Sequence, residues 1–149
     1  MARHFPLQPL LEHSRHRMDA AERALRVLKQ QEEEARRRLQ ELEGFRQEYR
    51  ERLVHRVASG MHIHLMRDYH AFLAKIEQAI RHQTEVVQET HGRWEAAHKH
   101  WLAERQKVKA YEVLAARHHK RELHRAEQRD QRLADEHAAK AVLHGSSAD

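Results

Sequence analysis

Histidine is the residue type in this chain that most readily suggests chemistry: there are 16 among 149 residues. Two imidazoles one helical turn apart can grip one metal ion, which requires an i, i+4 pair on a helix face. The spacings here do not provide it. His62 and His64 are two apart, as are His98 and His100, while His118 and His119 are adjacent. His137 lies far from any cage of carboxylates, and no histidine pair comes with an acid cluster. No metal site is expected, and the imidazoles point instead to a weak response to pH.

Other catalytic constellations are missing as well. There is no cysteine, hence no thiolate chemistry and no disulfide framework. The four glycines, Gly44, Gly60, Gly92 and Gly145, are isolated, so no loop is built to cradle a phosphate. No nucleophile stands with a base, so no catalytic residue and no cofactor site is assigned. The chain reads as a non-enzyme.

The elements behind these side chains are helical. Charged residues make up 34% of the chain, with only 4 Gly and 2 Pro, a composition of coiled coils more than of compact domains. The strong turn signal between residues 10 and 91 is Ser59-Gly60. Before it, a heptad places Leu11, Met18, Leu25, Glu32, Leu39, Arg46 and Leu53 at a. Leu7, Ser14, Ala21, Leu28, Ala35, Leu42, Tyr49 and Arg56 fall at d. Eleven of these fifteen are apolar against 40% for the whole chain, which marks a buried seam. After the turn, the a positions Met66, Leu73, Ile80, Val87, Trp94, Trp101, Val108 and Ala115 are all apolar.

The expected fold is therefore all-α: two long helices in an antiparallel coiled-coil hairpin, forming one domain over residues 1–149. Helix 1 is expected over about 7–57, a turn over 58–62, helix 2 over 63–140, and a disordered tail over 144–149. With the bend centred on Gly60 and Met61, facing residues should have numbers summing to about 122. Glu32 then meets Thr90 and Leu39 meets Gln83, polar layers that help fix register. Helix 2 outruns its partner, leaving Arg117 to Lys140 without an opposing helix, with the heptad lost from Glu122 onward.

The flanks of the seam differ. Near the bend the g positions are Phe45, Leu65, Phe72, Ala79 and Val86, interrupted by Arg38 and Arg52. The e positions are mostly polar. One edge, bordered by Leu42, Tyr49 and Ile76, is thus apolar and aromatic, a composition that marks binding surfaces. It reads as a partner site, with homodimerisation or local packing as the alternatives.

The formal charge is +5, but acids and bases interleave along most of the chain, unlike the concentrated charge of a nucleic-acid binder. No apolar run approaches the ~20 residues of a membrane span, and the start lacks the apolar core of a signal peptide. A cytoplasmic protein, or one held at a membrane through a partner, is expected.

Taken in order, several segments resemble the flagellar type III export family FliJ. They are Phe5-Pro6-Leu7-Gln8-Pro9-Leu10-Leu11, Glu48-Tyr49-Arg50, Ser59-Gly60-Met61, Tyr69 with Phe72-Leu73, Ile76-Glu77, Ala79-Ile80 and Gln83. A stretch bearing Trp94 and Trp101 and the late Asp135-Glu136 also fit. The resemblance covers nearly the whole chain through order, spacing and length, with no single strong motif. It implies a fold similar to the central stalk subunit of rotary ATP synthases. It also implies partners: the hexameric export ATPase FliI, whose assembly and hydrolysis the stalk promotes, the cytoplasmic domain of the export gate FlhA, and export chaperones such as FlgN and FliT. It places the protein at the cytoplasmic membrane of the flagellar base. The family's gate-binding face maps onto Leu42, Phe45, Tyr49, Phe72, Ile76, Ala79 and Gln83; the same face includes position 38, where this chain departs with Arg38. The open end, by analogy, enters the ATPase ring. The equivalent stalk of a virulence type III system, a generic homodimerising scaffold and a nucleic-acid binder using the basic overhang are the alternatives.

Overall fold

A computed structural model describes residues 3–146, excluding the side chain of Ser146. Two helices account for nearly all of them: α1, Gln8–Ala58, and α2, Ile63–Ser146. They pair antiparallel, giving the all-α coiled-coil hairpin that the heptads predict.

The reversal between them is built from local hydrogen bonds. The backbone N–H of Ser59 donates to the His55 carbonyl at 3.2 Å, and that of Gly60 to the Val57 carbonyl at 3.3 Å. The Ser59 hydroxyl is shared between the carbonyls of His55 and Arg56, at 3.1 and 3.2 Å. Carbonyls at the end of α1 that lack a partner further along the helix are thereby satisfied. Gly60 has φ 85°, the left-handed conformation that glycine adopts without steric cost. On the far side, the N–H of His64 donates to Nδ1 of His62 at 3.2 Å, so this histidine caps the start of α2.

The helices pair in two units, described separately. The first comprises Asp19–Leu102. Every a and d residue of α1 from Ala21 to Leu53 is buried or half-buried, as is every one of α2 from Met66 to Trp101. Ala21, Ala35, Ile76, Ile80 and Val87 form its apolar centre. Cross-helix contacts bracket the expected register. Partner numbers sum to 121 for Tyr49 and Phe72, to 123 for Glu32 and His91, to 118 for Ala35 and Gln83, and to 127 for Arg50 and Glu77. The helix continues through Gly92, which is exposed.

Two polar layers of this unit differ from expectation in detail. Glu32 is 3% exposed, and its Oε1 accepts from Arg36 Nη2 at 2.8 Å and lies 2.8 Å from His91 Nδ1. The bond from Arg36 is the main influence holding its carboxyl below the ordinary value; burial opposes it and His91 supports it. Thr90 turns its hydroxyl to its own helix, bonding the carbonyls of Val86 and Val87 at 3.0 Å. Gln83 donates to the carbonyl of Ala35 at 3.0 Å, one turn earlier in α1 than Leu39.

The second unit comprises the chain up to Met18 together with the chain from Ala103 onward. Leu11, Ser14 and Val108 are buried, with Glu104 at 1% exposure among them. Oε1 of Glu104 lies 3.1 Å from Arg17 and 3.7 Å from Lys107; its Oε2 is buried and receives no hydrogen bond among the described residues.

The expected overhang begins later than Arg117. The segment preceding α1 folds over α2: the ring of Phe5 lies 5.6 Å from that of His118, and His118 Nε2 bonds the carbonyl of Arg3 at 2.9 Å. Glu122 is consequently buried, with the N–H of Arg3 at 3.5 Å and Arg125 Nη1 at 3.0 Å. Burial acts to raise its pKa, but the Arg3 N–H and the charges of Arg125, His118 and Arg3 outweigh it and leave it lowered. A carboxylate at an a position therefore extends the pairing, because a non-helical strand can offer it an N–H. From Glu127 to Gly145 every residue is exposed. The helix also passes residue 140 and reaches Ser146, carried by Ala138, Ala139, Ala141 and Leu143, good helix formers. Of the tail expected at 144–149, residues 144–146 are helical and 147–149 lie outside the described residues.

Candidate protein-binding flank

The seven residues expected to form a partner face lie within the unit Asp19–Leu102, and the heptad distributes them by depth. Phe45 and Phe72, both at g, are 53% and 44% exposed. Tyr49, at d, is half-buried and braces them from below; its ring lies 4.6 Å from Phe72 and 5.9 Å from Tyr69. The guanidinium of Arg52 sits over Tyr49 at 5.6 Å, and that of Arg56 over Tyr69 at 5.8 Å. Leu42 and Ala79 are half-buried, and Ile76 is buried. Gln83 is half-buried with its amide committed to Ala35. The outer pair could touch a partner, Leu42, Tyr49 and Ala79 offer it partial contact, and Ile76 mainly holds the floor. Leu65, 38% exposed, adds to the same flank.

The opposite flank carries ion pairs. Arg50 and Glu77, both at e, form an ion pair at 2.8 Å. Further along, His91 has Glu32 at Nδ1 and Glu95 at Nε2, at 2.8 and 3.0 Å. Arg38 on the apolar flank is exposed and paired with Glu34 at 2.9 Å. The two flanks thus differ, with exposed phenylalanines on one and ion pairs beside exposed Val57 and Ile63 on the other.

Some exposed apolar residues escaped the heptad reading. Val54 is 68% and Ile63 59% exposed, and with Val57 at 47% they sit near the turn. Ile63 is an e position by back-counting from Met66, a signal available in the spacing. Val54 lies at b, where nothing in the periodicity singles it out.

Among the described residues no group of three or more histidine, cysteine or acidic side chains is placed to hold a metal ion. His62, one of the candidates, stacks on His64 at 5.0 Å and caps a helix. No helix among them is long and apolar enough to cross a membrane.

This arrangement defines a class: an antiparallel helical hairpin with an apolar, aromatic flank near its bend. Residues 3–147 match the family described as Flagellar FliJ protein, and the chain belongs to that family. It is thereby a flagellar type III export component. It is 27% identical over 144 residues to the Flagellar FliJ protein of Salmonella typhi, covering 96% of this chain and 97% of that one. Its fold is similar to that of a putative YscO homolog from Chlamydia trachomatis, with a TM-score of 0.68, 18% identity and 95% of each chain covered.

Proposed function

We propose that the chain is a non-catalytic stalk of the flagellar export apparatus and that the flank around Phe45 and Phe72 docks on the cytoplasmic domain of the export gate FlhA. The observation that carries this reading is the exposure of two phenylalanines over a braced aromatic floor, 53% and 44%. Large apolar side chains with rigid support are the usual energetic centres of interfaces. Leu42, Tyr49, Ile76, Ala79 and Gln83 complete the face, as contact or as support.

On the same reading the protein promotes ring assembly and hydrolysis by the export ATPase FliI and handles chaperones such as FlgN and FliT. It acts in the cytoplasm, held at the flagellar base by its partners. Family membership and the hairpin fold support this role.

The experiment is a pull-down of the gate's cytoplasmic domain with wild-type protein and Phe72→Asp. Loss of binding by the variant, with an unchanged helical circular dichroism spectrum, is expected; retained binding rejects the face. Purified protein should also raise the hydrolysis rate of the export ATPase. A hairpin that self-associates through this flank and leaves the ATPase unaffected would be a homodimerising scaffold instead.

A further inference from the structure

Around and beyond the last pairing at Glu122, α2 carries a basic face that takes no part in the flank around Phe45 and Phe72. Between Leu114 and Arg132 stand six cations, Arg117, Lys120, Arg121, Arg125, Arg129 and Arg132, against three acids, Glu122, Glu127 and Asp130. Arg117, Arg121, Arg125 and Arg129 recur at i, i+4 and so line one side of the helix. All six cations are exposed. Arg3, from the segment preceding α1, joins Arg125, Arg129 and Arg132 around one shallow depression. Like charges at this spacing repel one another. Elsewhere Arg15, Arg17, Arg36, Arg38 and Arg50 each face a glutamate, and Arg52 and Arg56 lie over tyrosine rings. Here, among the described residues, the ion pair is that of Arg125 with the buried Glu122; Arg117, Lys120, Arg121, Arg129 and Arg132 form none.

We infer that this face docks on the anionic surface of a lipid bilayer. The charge calls for an anionic partner, and the rest of the helix selects among anionic partners. A helical protein partner needs an apolar seam, but the a and d positions of the basic stretch, Arg125, Arg129, Arg132 and Glu136, are all charged, with Ala139 and Leu143 following only near the end of α2. A single-stranded nucleic acid needs aromatic platforms, and the chain has no Phe, Tyr or Trp after Tyr111. A charged membrane surface needs neither register nor stacking; it attracts clustered Arg and Lys within a Debye length. Leu123, 53% exposed, lies away from the arginine row, and Leu133, 54% exposed, follows Arg129 one turn on and ends the row.

The test is co-sedimentation of the full chain, without any protein partner, with vesicles of phosphatidylglycerol and phosphatidylcholine in equal parts. Vesicles of phosphatidylcholine alone and soluble polyglutamate are the comparisons. Binding to the anionic vesicles that weakens with salt is expected, with none to the neutral ones. Replacing Arg117, Arg121, Arg129 and Arg132 by Gln, which spares the Arg125–Glu122 pair, should lower the partition coefficient about a hundredfold or more. Circular dichroism on both proteins checks that α2 persists. No binding to anionic vesicles, equal binding to neutral ones, or full retention by the variant overturns the inference. Binding to polyglutamate without binding to vesicles overturns it in favour of an acidic protein. Phe72→Asp should leave vesicle binding unchanged, so failure of the gate-docking reading and failure of this one are distinguishable.

Discussion

Tyr49 of α1 and Phe72 of α2 meet across the seam with ring centroids 4.6 Å apart and planes inclined at 30°. Tyr49 is half-buried and Phe72 is 44% exposed, so one ring supports while the other faces outward. The same contact contributes both to helix pairing and to the surface presented beside the bend.

Depth therefore separates the residues of this flank that hold the helices together from those that face outward. Ile76→Ala removes a buried side chain and should cost about 2–4 kcal/mol of folding free energy. Phe72→Ala should cost about 1 kcal/mol or less, since much of that ring is already in water. Urea denaturation followed by circular dichroism reads both values.

The two glycines at 60 and 92 should respond to alanine with opposite signs. Gly60→Ala forces an L side chain into φ 85° and should destabilise by about 1 kcal/mol. Gly92 lies exposed within α2 with nothing within 4 Å of an added Cβ, so Gly92→Ala should stabilise by about 1 kcal/mol. Thermal melts of the two variants against wild type test the pair.

Ion pairs should rank by the burial of their carboxylate. Arg17→Ala strips the shorter cation contact from Glu104, whose side chain is 2% exposed, and should cost about 1–3 kcal/mol. Arg15→Ala breaks a pair that is 48% exposed on both sides and should cost less than about 1 kcal/mol. Equal melting temperatures for the two variants would contradict the ranking.

Acid should weaken the hairpin through Glu32 and Glu122. Both carboxyls titrate below their ordinary 4.5 in the folded chain. The native state therefore holds the proton less tightly than the unfolded chain. The stability this confers is present above 4.5 and is lost as pH falls through the lowered folded values. Melting temperature should decline below pH 4.5, and Glu32→Gln should flatten part of that decline while lowering the neutral-pH value.

The heptad made most of this structure legible before any coordinates, because a two-helix seam is specified by one periodic set of positions. Burial follows that set from Leu11 to Leu53 and from Met66 to Glu122. The turn was legible for a similar reason, since Ser59-Gly60 supplies both a capping hydroxyl and a left-handed residue. The partners of the polar layers were not. Glu32 reaches Arg36 and His91 because long side chains bridge between layers, and spacing alone cannot choose among several cations within reach. The docking of Arg3 to Leu7 on α2 was also hidden, since a short irregular strand has no period to detect. The candidate face lay in the g positions, but which of its members point outward required the depth of each ring.

The ion pair between Arg50 and Glu77 lies on the flank opposite the aromatic one, so the two sides of the hairpin differ in chemistry near the bend. On the proposed gate-docking reading, the partner occupies the side that bears Phe45 and Phe72. Rotation of the hairpin about its own axis would carry such a partner with it or detach it. On that reading, contact there reports angular position as well as proximity.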